Sequence, residues 1–535
     1  MKKRIIPGIL MALISVAACD LNRYPETSIS ENNYWNPSTV SDFEYAANGI
    51  IAILPSNWLD GRADDLFRNK YPNDISAGTR KVPVTSNDLT VPYRLVFRSN
   101  RMIQNAPDDG EGLDGIRQYV SEAYFFRAYA YWMLLSKYGG VPLMLRTAET
   151  PEDTVLYRKR NTRREVVENI YSDLDRAFQY LPDASDIPPS SYGRVSRSAA
   201  KALLARVALF EGTWEKYHEG SSSTSDFEIA AAAADWVISS RCHDLYSTGT
   251  EPYKTLFDYP GEGCSEYIFA KIYGFPDNQV LTHNAPYQYC VNYCVSRNFT
   301  NLYLNSDGTP YSDSPALDLH YNDYFADRDP RLSQTFLVRG GQNYTLGSFV
   351  PSNPGFCPRK FVRNDGVSDQ PSTLDWPVIR YGEVLVTYAE AVFERDGTIS
   401  DVDLDRSINL LRDRVGMPHL TRNFVLTHSL DMLEEIRRER TVELALEGFR
   451  YDDLRRWKKA EDLLPVDILG AKYISGEWGS LSPSALEDRT TDDAVFIIES
   501  ADSRFFDPAK DYLYPIPGND IGQSLGNMEQ NPKWK

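Results

Sequence analysis

The sequence predicts a mainly α-helical protein, a tetratricopeptide-like stack of helix pairs with an irregular, loop-rich part packed on it. Three observations lead there. Over residues 39–243, apolar side chains recur at three- and four-residue spacing, the period of one helix face. Alanines recur on the same stretches (Ala123, Ala130, Ala199, Ala202, Ala205, Ala231 and Ala234). Small residues of this kind let neighbouring helices approach closely, as stacked helical repeats require. From residue 244 to 375 the period disappears, and Pro, Gly, Asn, Asp and Tyr take over. That content is too aromatic for a disordered segment, and irregular stretches of such length usually carry function.

The chain starts with Met1, Lys2, Lys3 and Arg4, followed by an apolar run from Ile5 to Val16. A bilayer span needs about 20 apolar residues, so this run is too short for one. It has the layout of an export leader: charged head, apolar middle, small residues at the cut. Ala17 and Ala18 precede Cys19 directly, and "VAAC" resembles a lipobox. Residues 1–18 are therefore expected to be removed, leaving Cys19 to carry acyl chains. Residues 19–38 read as a spacer between anchor and fold.

The first helix is "TVSDFEYAANGIIAIL", with Ser41 and Glu44 in capping-box spacing. "VPYRLVFRSNRMIQNA" follows, and then "IRQYVSEAYFFRAYAYWMLLSKYGG", which Gly139 and Gly140 end ahead of Pro142. Thr162 and Glu165 open the next helix with a second capping box, and Pro182 closes it. "SRSAAKALLARVALFEGTW" and "DFEIAAAAADWVISS" complete the first part. After the irregular segment, helix returns over residues 376–535 in "PVIRYGEVLVTYAEAVFER", "VDLDRSINLLRDRVG" and a long charged stretch from Leu430 to Leu464.

Hydrophobic residues make up 42% and charged residues 25% of the 535, ordinary values for a globular chain with a sizeable core. Loss of Lys2, Lys3 and Arg4 takes the formal net charge from −18 to −21, which disfavours nucleic acid as a partner. Five cysteines remain after Cys19: Cys242, Cys264, Cys290, Cys294 and Cys357. An odd number leaves at least one thiol unpaired, so buried thiols or one or two disulfides are expected. Cys290 and Cys294, even with His283 upstream, lack the ligand number and spacing of a metal site, and no metal or cofactor is predicted.

Several motifs imitate chemistry. Residues 401–412 begin like a calcium loop, but Arg406 and Arg412 occupy the positions that require Gly and Glu. Acidic residues at a helix start explain them better. Arg440, Glu443, Glu447, Arg450 and Asp453 stand at spacings that predict local ion pairs. A glycosidase needs two carboxylates about 5–9.5 Å apart, and nothing singles out such a pair. HExxH does not occur, and the one GxSxG match, "GQSLG" at 522–526, follows turn residues and not the strand of a nucleophile elbow, so no catalytic residues are assigned.

The better candidates are aromatics. Tyr is abundant, with 34 residues against 23 Phe and 9 Trp, and its ring joins an apolar face to a hydroxyl. A sugar ring has a matching face of C–H groups, while Asp, Asn and Arg neighbours can take its hydroxyls. Trp58 and Tyr71 lie near Asp74, Arg80 and Asn87. Tyr287, Tyr289 and Tyr293 cluster in "HNAPYQYCVNYC", and Trp376 stands just before a predicted helix. Packing in the core is the competing role for each. Trp58→Ala and Trp376→Ala are expected to weaken glycan binding with little change in melting temperature.

The ordered series "AYFFRAYAYWMLLSKYGGVPL", "TRREVVENIYSDLDRAFQYLP", "GRVSRSAAKALLARVALFEG", "DRDPRL", "PVIRYGEVLVTYAEA", "RRERTVELALEGFRYDDLRRW" and "YLYPIPGNDI" resembles the SusD/RagB family of Bacteroidetes outer-membrane lipoproteins. The resemblance spans nearly the whole mature chain. It implies the helical-repeat fold, a lipid-anchored position facing the cell exterior, binding of oligosaccharides, and a role as lid on a SusC-like TonB-dependent transporter. Peptides or another non-sugar nutrient are the alternative ligand, and a surface glycosidase is a third reading. Family members often carry a Trp shortly before the "PYRLVFRSNRMI" helix, where this chain has "TSNDLTVPY", so the sugar platform is expected to differ.

Overall fold

The computed structural model describes residues 34–35, 39–56, 58–68, 71–108, 113–220, 224–274, 281–338, 354–362, 371–477 and 490–534. The leader and the predicted acylation site at Cys19 lie outside them. No helix among the described residues is long and apolar enough to cross a membrane.

Six long helices build the first part: α1 (Val40–Ala52), α2 (Asn87–Gln104), α3 (Leu113–Tyr138), α4 (Arg163–Tyr180), α5 (Arg197–Trp214) and α6 (Thr224–Ser240). Their starts follow capping chemistry. Thr162 and Glu165 form the expected box, the Thr162 backbone N–H donating to Glu165 Oε2 at 2.7 Å. At α1 the box is Thr39 with Asp42, not Ser41 with Glu44. The Asp42 carboxylate reaches back to the Thr39 N–H at 2.8 Å, which starts the helix earlier and puts Ser41 inside its first turn. Helix α2 likewise starts at Ser86, whose hydroxyl accepts from the Asp88 N–H, well before Val91. Gly139 ends α3 in the left-handed region, at φ 72°.

Successive helices pack in the pairs α2–α3, α3–α4 and α5–α6. The recurring alanines lie in these contacts: Ala123, Ala130, Ala199, Ala205 and Ala234 are fully buried. One apolar core runs from α1 to the C-terminal segment, where Tyr514 and Ile516 are buried.

The irregular part carries three two-stranded antiparallel sheets to which it or its neighbours contribute. Strand β1 (Leu66–Arg68) pairs with β3 (Tyr293–Val295), placing Arg68 opposite Tyr293. A short helix, α7 (Ala285–Val291), leads into β3. Strand β2 (Tyr267–Lys271) pairs with β4 (Trp376–Arg380), and β5 (Ile468–Lys472) with β6 (Val495–Glu499). The segment "WPVIR", partly read as helix from sequence, is thus a strand, and helix α8 (Tyr381–Asp396) begins only at Tyr381. β-branched Val378 and Ile379 suit a strand buried on both faces; all five residues of β4 are buried.

After α9 (Ile408–Val415), the charged stretch divides into α10 (Met432–Glu443) and α11 (Arg450–Arg456). Leu446 at φ 62° and Gly448 at φ 81° break it. The expected local ion pairs are therefore replaced by long-range ones. Arg440 crosses the break to Asp453 at 2.9 Å, and Arg450 reaches Asp64 at 2.7 Å. The centre of the network is Arg380, 1% exposed at the end of β4. Its guanidinium donates to Glu266 at 2.9 Å, Glu443 at 2.7 Å and Glu447 at 2.7 Å. Arg414 also pairs with Glu443, and Lys360 with Glu447, both at 2.7 Å. At residue 382 a Cβ would sit 2.1 Å from Arg380 Nη1, so only glycine lets the guanidinium through. The aspartates of 401–405 cap a short helix, with Ser400 accepting from the Asp403 N–H.

Cys242, Cys264 and Cys294 are free thiols, and the Cys290 side chain lies outside the described atoms. Burial pushes the Cys294 thiol up to about 12.

Removing one partner of a buried ion pair leaves the rest uncompensated and costs about 3–5 kcal/mol. Arg380→Met is expected to lower unfolding free energy by that order in urea titrations, because three carboxylates then face no shared cation. A loss below about 1 kcal/mol, the size of an exposed pair, would show that the network is not a structural centre.

Candidate functional site

Two neighbouring hollows gather most of the candidate residues. The outer one is a groove of about 310 Å³. Strand β1 supplies Leu66, Phe67 and Arg68, the following turn supplies Tyr71, Pro72, Asn73 and Asp74, and β3 supplies Tyr293. Asn73 shapes the turn by accepting from the Ile75 N–H at 2.9 Å. Tyr71 is 64% exposed, unusual for so large a ring. The Arg68 guanidinium packs on it, 4.7 Å from the ring centroid. Cross-strand pairing holds Arg68 beside Tyr293.

The inner hollow, about 380 Å³, lies between the first helices and the C-terminal ones. Its aromatic wall is Trp58, Tyr129, Trp132, Phe210, Trp376 and Phe449. Asn87, at the start of α2, stands exposed at its edge. Trp58 is the best positioned of these rings. His283 stacks on it at 4.5 Å, and Trp376 and Phe361 meet it edge-on at 4.4 and 5.0 Å. Its buried Nε1–H has no acceptor among the described residues. Leu59, Gly61 and Asn73 line both hollows and form the wall between them. Leu59 holds a positive φ of 60°, a strained conformation for leucine that its surroundings must enforce.

Trp58, Asn87 and Trp376 thus line the inner hollow, and Tyr71, Asp74 and Tyr293 the groove. Three candidates do neither. Tyr289 is fully buried, stacks on Phe361, and accepts from the Leu59 N–H at 3.3 Å, so it braces the dividing wall. Tyr287 is half-buried on α7. Arg80 lies 3.6 Å above the Tyr514 ring. Trp376 is only 4% exposed and is gripped within β4, which makes it part of the core as well as of the wall. The expectation that it could be removed without loss of stability is therefore corrected. Sequence reasoning missed Trp132, Phe210, Arg68 and Asn73. The first two stand in helical periods indistinguishable from core, whereas Arg68, three residues before Tyr71, could have been found by proximity.

Two carboxyls near the site are shifted upward. Burial raises Asp65 to about 8, assisted by the charges of Asp64 and Asp60. Burial also raises Asp375 to about 7, assisted by Glu262. Among the described residues, no group of three or more His, Cys, Asp or Glu is placed to hold a metal ion.

Comparison with known proteins places this architecture. A family model described as "SusD family" matches residues 258–534, more than half of the chain. The chain belongs to the SusD family. A second model, described as "Starch-binding associating with outer membrane", matches residues 55–209. The chain is 24% identical to a SusD-like protein, P2, of Formosa agariphila over 99% of its length and 100% of the relative's. It is 25% identical to a SusD-like protein of Bacteroides ovatus, over 91% and 87%. Among solved structures, a SusD-like carbohydrate-binding protein from Bacteroides fragilis superposes with a TM-score of 0.75 at 23% identity, covering 92% of this chain and 99% of that one. A structure solved with xylogluco-oligosaccharide superposes with a TM-score of 0.63 at 21% identity, covering 93% and 98%. These SusD-like neighbours share the helical fold predicted from the alanine-rich helices.

Two stability measurements check the site's construction. Trp376→Ala is expected to cost about 3–5 kcal/mol, as for a buried aromatic, while Tyr71→Ala stays within about 0.5 kcal/mol of the parent. The reverse order in urea titrations would contradict the assignment of wall and platform. Asp65 titrates higher in the fold than its ordinary value of 3.8, so the folded state holds its proton longer. Its effect on stability becomes increasingly unfavourable as pH rises from about 4 to 8. Asp65→Asn should flatten that decline and raise the melting temperature at pH 8; an unchanged pH profile would contradict it.

Proposed function

We propose that this protein binds oligosaccharides in the Tyr71 groove at the outer face of the outer membrane and delivers them to a partner SusC-like TonB-dependent transporter. The observation that carries the reading is Tyr71 itself: an exposed ring in a concave groove, with Arg68, Asn73 and Asp74 around it. An aromatic face of this kind packs on the C–H face of a sugar, and the surrounding polar groups meet its hydroxyls. Family membership supports the same reading, as does the carbohydrate recorded with one structural neighbour.

Acyl chains on Cys19 would anchor the protein, each buried CH₂ contributing about 0.8 kcal/mol. Tethering next to a transporter raises the effective concentration of captured ligand, so weak binding suffices. The protein acts as a binding protein and not as an enzyme: the carboxylates of the inner hollow are held in ion pairs, such as Asp60 with Arg62 and Asp453 with Arg456.

Calorimetry of the purified mature protein against a panel of neutral oligosaccharides (cello-, xylo-, manno-, laminari-, malto- and xylogluco-series) tests the reading. At least one series should bind without turnover, and Tyr71→Ala should weaken it about three- to tenfold, the loss of one aromatic contact. Binding only to peptides, or release of shorter sugars during incubation, would overturn it.

A further inference from the structure

We infer that the inner hollow receives one terminal residue of a neutral oligosaccharide, so that the protein recognises chain ends and not chain interiors. This rests on the reading of the Tyr71 groove as the sugar-binding surface, and it adds a second subsite and a mode of binding.

The first argument is continuity. Groove and hollow share Leu59, Gly61 and Asn73, so a chain lying on Tyr71 that passes this wall enters the hollow. At Gly61 a Cβ would stand 3.0 Å from the Leu66 carbonyl oxygen, so glycine lets this wall pack closely on β1. Strain at Leu59, in the same wall, fits a segment shaped for contact with a ligand.

The second argument is closure. The far side of the hollow is built from groups almost out of reach of solvent: Arg206 at 8% exposure, and Arg440, Glu447 and Arg456 at 2–3%. These are cross-linked by ion pairs, Arg206 to Glu383 at 2.6 Å and Arg456 to Glu390 at 2.6 Å. Such a floor does not open for a polymer to thread through. A chain that passes the dividing wall therefore stops at this floor, and about 380 Å³ lies at the small limit of ligand pockets, about 300–1,000 Å³.

The third argument is charge. The hollow is rich in charged side chains, yet each is already matched. Asp60 pairs with Arg62 at 2.6 Å, Lys137 with Asp88, and Glu447 with Arg380 and Lys360. An ionic ligand group would meet no free counter-charge and would pay desolvation in full. A neutral ring with hydroxyls fits. Its apolar face packs against the indoles that line the hollow.

The experiment uses whichever linear series of the neutral panel binds. Calorimetry over increasing chain length should give one protein per chain at every length and a molar affinity that levels off. Chains carrying a bulky aminobenzamide group at the reducing end, or a benzylidene cap at the other, should separate: one modification abolishes binding and the other leaves it intact. Ser136→Leu, which fills the hollow from α3, should weaken binding at least about tenfold, or about 1.4 kcal/mol, with the groove unaltered. Should that variant not fold, the two end-modified ligands decide alone. More than one protein per long chain, or undiminished binding of both end-modified forms, would overturn the inference while leaving the groove reading intact. Failure of every series in the panel would overturn the groove reading itself.

Discussion

The buried pairing of Arg380 with Glu443 and Glu447 is the constraint on which the rest of the structure depends. Arg380 ends β4, the strand that carries Trp376 into the wall of the inner hollow. Glu443 ends α10, and Glu447 follows in the turn before α11. Glu266 accepts from the same side chain, so three distant stretches of the chain meet on one guanidinium. Isolated charges could not be buried there, since each would cost several kcal/mol. The network places them only in combination, and so fixes β4 against the C-terminal helices. Electrostatics also shows in the titration of its members. Burial would raise the Glu443 carboxyl, but Arg414, Arg380 and Arg331 outweigh it and hold the group well below the usual carboxylate range. Stability contributed in this way is complete above the ordinary glutamate range and is lost as acid protonates the group.

Much of the architecture was legible in the sequence because it rests on local signals. Alanine spacing, the Thr162–Glu165 box and the Gly139 terminator all act within a few residues, and each appears as expected. Two of the failures share a cause, competition from tertiary structure. "WPVIR" reads as the run into a helix, yet β2 lies alongside and turns it into a strand. Arg440 and Asp453 look like members of one helical face, yet Leu446 and Gly448 break the helix and the pair forms across the break. Local spacing could not reveal that the chain reverses there.

The site was legible only in part, for a related reason. Chemistry pointed to aromatics in irregular segments, which found Trp58, Tyr71, Tyr293 and Trp376. It could not distinguish a ring facing solvent from one facing core. Tyr289 and Tyr293 are four residues apart, but one braces Leu59 from within and the other lines the groove. Trp132 and Phe210 sit in regular helices and carry no mark of the cavity they border. What joins these residues is the packing of α5 against both α3 and β4, and α5 and β4 lie more than 160 residues apart in sequence.

The picture that results is an aromatic recess, neutral in its charges, behind an exposed tyrosine platform. A pocket whose walls are already cross-linked loses little conformational freedom on binding. A crystal structure of the protein with a bound neutral oligosaccharide measures this most directly. The account predicts sugar density along Tyr71 with its last ring against Trp58, and protein side chains unmoved from their positions here. Density confined to a surface remote from Tyr71, or a Trp58 displaced from His283 to admit the sugar, would contradict it.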